Sequence, residues 1–171
     1  CERGYYCEQG SVSAKASPCA EGSFGGATGL VSQTGCSSCP VGHACPEASA
    51  EASPCSVGSA QPDEGQGTCD DCTAGTFMNV SGATACFECP VGSYCTTGAS
   101  TPLPCDSGSF GDAPGLGSKD ECQACPAGHF CEAGTVTPSL YASGDRTRDP
   151  RVIIHSNERT LALLHATLIH S

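Results

Sequence analysis

Cysteine is the residue type with the most chemistry to offer here: there are sixteen in 171 residues. Some stand two residues apart, at Cys36/Cys39, Cys69/Cys72, Cys86/Cys89 and Cys122/Cys125. A C-x-x-C step can supply thiolates to zinc, cycle between dithiol and disulfide, or send its sulfurs to separate structural disulfides. His43 and His129, each inside a C-P-x-G-H-x-C stretch, add candidate zinc nitrogens. A zinc site needs two ligand pairs converging on one tetrahedron from separated segments. These pairs instead overlap along the whole chain, and the middle copy carries Ser93 where the histidines stand. A redox dithiol wants a single step in a βαβ setting, and repeated steps point to repeated architecture. Structural disulfides fit best, with neither metal nor cofactor expected.

Other chemistry is thinner. Nucleophilic catalysis needs a Ser or Cys beside a His that a carboxylate orients, and the many serines here sit in turn-like stretches without that company. No enzyme is expected, and no catalytic residue is assigned. The acidic pairs Asp63/Glu64, Asp70/Asp71 and Asp120/Glu121 offer oxygens to calcium, but no D-x-D-x-D-G loop accompanies them, so solvated loop charge is the plainer reading. Asn79-Val80-Ser81 is an N-glycosylation sequon. The Ser/Thr/Pro stretches 96–102 and 135–138 are compatible with O-glycosylation.

The elements that must position these residues are short and repeated. Cys39-Pro-Val-Gly-His-Ala-Cys45, Cys89-Pro-Val-Gly-Ser-Tyr-Cys95 and Cys125-Pro-Ala-Gly-His-Phe-Cys131 share C-P-x-G-x-x-C. Between them, Cys19-Ala-Glu-Gly-Ser-Phe24, Cys72-Thr-Ala-Gly-Thr-Phe77 and Cys105-Asp-Ser-Gly-Ser-Phe110 read C-x-x-G-[S/T]-F, with Cys55-Ser-Val-Gly-Ser-Ala60 as a degenerate copy. Glycine at the fourth place suits a turn that needs positive φ, and the aromatic two residues on can cover a disulfide as a very small core. A second turn signal follows in each long loop, at Ser81-Gly82 and Gly115-Leu116-Gly117 for example. Each loop thus reads as a short, irregular β-hairpin.

Composition agrees. Aromatic residues make up 5% of the chain, there is no Trp, and 22 Gly and 12 Pro leave little for a conventional core. Cross-links can supply the missing stability, and so many of them belong to an oxidising, extracellular setting. The net charge of -11 opposes nucleic acid and anionic membrane surfaces as partners. No apolar run is long enough to span a membrane. Because Cys1 opens in mid-repeat, with no apolar leader ahead of it, the chain reads as a piece of a longer secreted precursor.

Two sulfurs only two residues apart would close a strained ring, so each C-x-x-C should send them to opposite neighbours. Sequential pairing then gives Cys1/Cys7, Cys19/Cys36, Cys39/Cys45, Cys55/Cys69, Cys72/Cys86, Cys89/Cys95, Cys105/Cys122 and Cys125/Cys131, with none left over. An interlocked alternative joins Cys36 to Cys45 and Cys39 to Cys55, and it runs short of a partner where Tyr141 stands ten residues after Cys131.

These residues resemble the ephrin-receptor-like cysteine-rich repeat, in which C-P-x-G-x-x-C alternates with C-x-x-G-[S/T]-[F/Y], and more loosely the cysteine-rich modules of tumour-necrosis-factor receptors and growth-factor receptors. The resemblance implies a small disulfide-rich fold, an elongated ladder of hairpins with little regular secondary structure, on cell-surface or matrix proteins, and no catalytic residues. It covers residues 1–138, divided into approximate units 1–45, 46–95 and 96–138. Residues 139–171 form a non-repeat tail. From Tyr141 on, four Lys/Arg meet three Asp/Glu and no cysteine, against three and fifteen before it. The tail is either a terminus without an evolved role or a C-terminal amphipathic helix, capped by Ser156 or Asn157, with Leu161, Leu164, Leu168 and Ile169 on one face. His165 and His170 speak against a lipid-anchor signal.

The expected function is structural: an extracellular spacer or building block of a glycosylated matrix, surface or filamentous appendage protein. Its expected partners are other extracellular or self-assembling chains and an N-linked glycan at Asn79. A ligand-binding receptor ectodomain is the alternative.

Overall fold

The computed structural model describes residues 1–141. The helix read over residues 156–169 lies outside them. Secondary structure is a succession of two-residue strands paired antiparallel with the strand next in sequence, from Tyr5–Tyr6 with Ser17–Pro18 to His129–Phe130 with Ser139–Leu140. Single-turn 3₁₀ segments at Gln33–Gly35 and Lys119–Glu121 interrupt two of the longer loops.

All the hairpins are copies of one rung. A rung opens on a cysteine, turns through a glycine three residues later, runs two residues as a strand, loops out, returns as the second strand and meets the cysteine that opens the next. The rungs open at Cys1, Cys19, Cys39, Cys55, Cys72, Cys89, Cys105 and Cys125, and are numbered one to eight in that order. In the first turn the N–H after the glycine returns to the carbonyl three residues back, as in Ser59 to Ser56 at 3.1 Å, around Gly58 at φ +85°. Positive φ at the third place of such a turn is what glycine supplies without steric cost. The conserved-looking hydroxyl in C-x-x-G-[S/T] has a local task as well: Ser23, Ser59, Thr76 and Ser109 each donate to the first carbonyl of their own turn at 2.6–2.9 Å.

Every cysteine among the described residues is in a disulfide, and each bonds to its nearest cysteine in the sequential register. The interlocked arrangement does not occur, since Cys36 bonds to Cys19 and Cys39 to Cys45. There are two kinds of closure. In rungs one, three, six and eight the opening cysteine bonds six residues on, inside its own turn. In the others it bonds 14 or 17 residues on, next to the second strand.

The closure type is matched by what fills the seventh place of the rung, the most buried column of the ladder. Short-closing rungs put a half-cystine there. Long-closing rungs put Gly25, Gln61, Met78 or Gly111. Met78 is 1% exposed and, with the half-cystines, is among the largest fully buried side chains. Gln61, 4% exposed, has both ends of its amide occupied, donating to the Thr68 carbonyl at 2.9 Å and accepting from the Asp63 N–H at 3.1 Å. A buried amide of this kind is tolerated because it is satisfied. Where the column holds glycine the loop fills the gap: a Cβ on Gly111 would lie 3.1 Å from Leu116 Cδ1.

A two-residue hairpin is unstable alone, so stacking between rungs has to complete it. That stacking is backbone to backbone and repeats in register. The first-turn glycine N–H of each rung reaches the seventh residue of the next, as in Gly58 to Met78 at 2.7 Å. The seventh N–H of that rung reaches the next rung's second turn, as in Gln61 to Ala83 at 3.0 Å. The second-turn N–H reaches back to the opening cysteine, as in Gly82 to Cys55 at 2.8 Å. This trio recurs at all seven joints, and no backbone hydrogen bond between rungs skips a rung. Rungs two apart still touch: a Cβ on Gly42 would overlap the carbonyl oxygen of Gly82. Seven of the eight second turns carry glycine at positive φ. The third rung has Ala48 there, at φ +63°.

Candidate functional site

The side chains singled out for chemistry are dispersed along the ladder. His43 and His129 are half-buried, and each Nδ1 faces a carbonyl of its own turn, Val41 at 3.0 Å and Ala127 at 3.3 Å. That contact puts the ring proton on Nδ1 and orients the ring along the turn. With every thiol in a disulfide, the thiolates a zinc or redox site would require are absent. Among the described residues, no three His, Cys, Asp or Glu side chains come together as a metal site.

Asp70 and Asp71 form the exposed second strand of rung four, paired with Ala60 and Ser59. They edge a shallow, open groove of about 310 Å³ whose other walls include Ala60, Pro62, Thr73 and Thr84. Its two cysteines, Cys72 and Cys86, are bonded to each other, so the groove offers carboxylates and hydroxyls without an activated nucleophile. Lys119 is ion-paired with Asp106, which holds the ammonium above its ordinary pKa through the hydrogen bond first and charge attraction second. Arg3, the other cation of note, donates to the Gly26 and Ala50 carbonyls and so straps rungs one to three together.

Asn79 follows the buried Met78 and is exposed, with Val80 and Ser81 also exposed as the chain enters the second turn. Nearby, the Phe77 and Phe87 rings lie 6.0 Å apart across one hairpin, and Phe87 keeps more than half its surface in solvent.

What the geometry builds with care is the joint between rungs, and the family comparison falls on it. Residues 58–102 match the family described as tyrosine-protein kinase ephrin type A/B receptor-like. The chain carries an ephrin-receptor-like cysteine-rich repeat. The matched stretch begins at the first-turn glycine of rung four and ends in the sixth rung, ahead of its second strand Leu103–Pro104, so it contains both closure types and the joints between them. Ephrin-receptor-like repeats are a non-catalytic module type of extracellular proteins, and the disulfide content agrees with that setting. Among curated proteins none matches the chain. No helix among the described residues is long and apolar enough to cross a membrane.

The functional feature that motif reading missed is that C-P-x-G-x-x-C and C-x-x-G-[S/T]-F are one element. Cys1-Glu-Arg-Gly-Tyr-Tyr is a copy too, and all eight place the same glycine at the same joint. The available signal was the constant C-x-x-G, obscured by the attention that the closing cysteine and the proline draw.

Proposed function

We propose that this chain is a structural spacer or building block of an extracellular, glycosylated assembly. The observation that carries the reading is the joint repeated along the ladder: rungs bond only to their neighbours, so length grows with rung number while the cross-section stays that of one hairpin. Disulfides closing each rung limit the unfolded chain and hold a thin structure that has no large core. The extracellular repeat type supports the location, and the exposed sequon at Asn79 supports a glycan as part of the outer surface.

Small-angle scattering tests the reading. A compact chain of this length has a radius of gyration of roughly 15 Å. A spacer gives a clearly larger value with a skewed distance distribution, and a compact value rejects it. The glycan is checked separately by releasing N-linked sugars from the secreted protein. A mass decrease on the peptide containing Asn79 is expected, and an unchanged peptide removes the glycan from the reading.

A further inference from the structure

The ladder ends in unspent bonds, and the two ends are complementary. At every internal joint the leading rung gives two N–H donors and one carbonyl, and the following rung gives two carbonyls and one N–H. Rung eight keeps its three groups, the N–H of Gly128, the N–H of Cys131 and the carbonyl of Cys125, without a partner among the described residues. Rung one keeps the other three: the carbonyls of Cys7 and Ser11 and the N–H of Gly10. Gly10 is at φ +91°, so the first rung's second turn already has the conformation that receives a preceding rung elsewhere in the ladder.

The surfaces match this pattern. First-turn glycines from Gly4 to Gly92 are all buried, each against a carbonyl two rungs on, whereas Gly108 and Gly128 are exposed with nothing within 4 Å of a would-be Cβ. At the other end, Gly10 and Gly29 are similarly open. Val12, fully exposed, stands where Gly117 and Val136 lean on the turn two rungs back, against Ala74 and Gly92 respectively. In a continued ladder Val12 would lie on the turn around Ser107 and Gly108.

We infer that the eighth rung of one copy receives the first rung of a second copy, head to tail, through the same backbone trio that joins rungs inside the chain. Gly128 N–H donates to the partner copy's Cys7 carbonyl, Cys131 N–H to its Ser11 carbonyl, and its Gly10 N–H to the Cys125 carbonyl. Such a contact is heterologous, so it leaves a free end on each copy and extends into a filament instead of closing as a dimer. The inference deepens the spacer reading and rests on it. The net charge of -11 means that copies repel, so association should strengthen as salt screens them.

The test uses the full chain and two variants that block opposite ends. Gly128→Ala adds a methyl where each internal joint meets a carbonyl, and Val12→Glu brings a carboxylate toward the Asp106 turn. Sedimentation equilibrium of the parent chain should show a weight-average mass that climbs with concentration beyond a dimer. Each variant alone should lose this open-ended growth and remain monomeric, while an equal mixture should reach twice the monomer mass and stop. Mapping of the disulfides without reduction must show the parental pattern in both variants, and a second pair, Gly108→Ala with Val12→Asp, replaces any variant that departs from it. A parent chain that stays monomeric at all salt concentrations, or variants whose mixture gains nothing over each alone, overturns the inference. An elongated monomer would overturn the joint and leave the spacer standing. A compact monomer would reject both.

Discussion

Tyr141 donates its backbone N–H to the carbonyl of Gly128 at 3.4 Å, the bond that the opening cysteine of each following rung makes to the first-turn glycine before it. It is the place of a ninth opening cysteine, held by a residue with no sulfur. The ring lies 5.6 Å from that of Phe130, covering the last hairpin in the absence of a following rung. Tyr141→Ala should therefore loosen only the pairing of Ser139–Leu140 with His129–Phe130. Loss of the ring contact costs about 1 kcal/mol. Hydrogen exchange should speed up at this hairpin and stay unchanged from rung seven back; faster exchange throughout would mean that the end controls the whole ladder.

Met78 occupies the column that short-closing rungs fill with half-cystine sulfur, so its loss leaves a hole between rungs four and six. Met78→Ala should destabilise by about 2–3 kcal/mol, the lower part of the range for core truncations because so thin a structure can partly collapse. Met78→Leu, close in volume, should cost less than about 1.5 kcal/mol. Denaturant unfolding with the disulfides intact checks both. Equal effects would show that the column does not sense volume.

Much of the fold was legible before the structure. The spacing of the cysteines carried the hairpins and the disulfide-rich class, because closing a loop needs only two cysteines and a turn glycine, all of them visible as letters. The joints were not legible. Their bonds run between backbone groups, which every residue carries, so neither Gln61, Met78 nor Tyr141 announces that it stands in the column or register that cysteine holds elsewhere. Ala48 hid the second turn in the same way, breaking the glycine pattern that would have aligned the eight rungs. Ser139 and Leu140 differ in composition from the repeat, yet they supply the strand that His129 and Phe130 need.

The Lys119–Asp106 pair is fully exposed on its lysine side, so it should matter through pH and salt more than through overall stability. Because the folded-state pKa of Lys119 is raised, its contribution is complete below the ordinary lysine value of 10.5 and disappears as pH rises through the raised value. Lys119→Met should leave neutral-pH stability in high salt unchanged and remove only a small alkaline component measured at low salt. A large loss at neutral pH and high salt would require a structural role that the ion pair does not explain.

Ala48 carries a methyl group in a conformation that seven other second turns reserve for glycine. Left-handed backbone costs a non-glycine residue roughly 1–2 kcal/mol, whereas glycine adds about 0.5–1 kcal/mol of unfolded-chain entropy. Ala48→Gly should thus stabilise the third rung by about 0.5–1 kcal/mol, seen as a small rise in the denaturation midpoint. Destabilisation would mean that the methyl makes a contact worth more than the strain.

Gly42 and Gly128 separate two costs that usually travel together. Both sit in first turns at similar positive φ, +72° and +80°, so alanine at either meets the same backbone penalty of roughly 1–2 kcal/mol. Their surroundings differ. A methyl on Gly42 would overlap the Gly82 carbonyl oxygen, which belongs to a rung held by its own disulfide and cannot retreat without breaking the bond from Gly82 N–H to Cys55. A methyl on Gly128 meets nothing within 4 Å. In dilute solution Gly128→Ala should therefore cost the backbone penalty alone, while Gly42→Ala should cost at least about 2 kcal/mol more, because it also displaces a carbonyl and leaves buried groups unpaired. Denaturation of the two variants side by side decides it. Equal losses would show that the close approach between rungs two apart contributes nothing to holding the ladder.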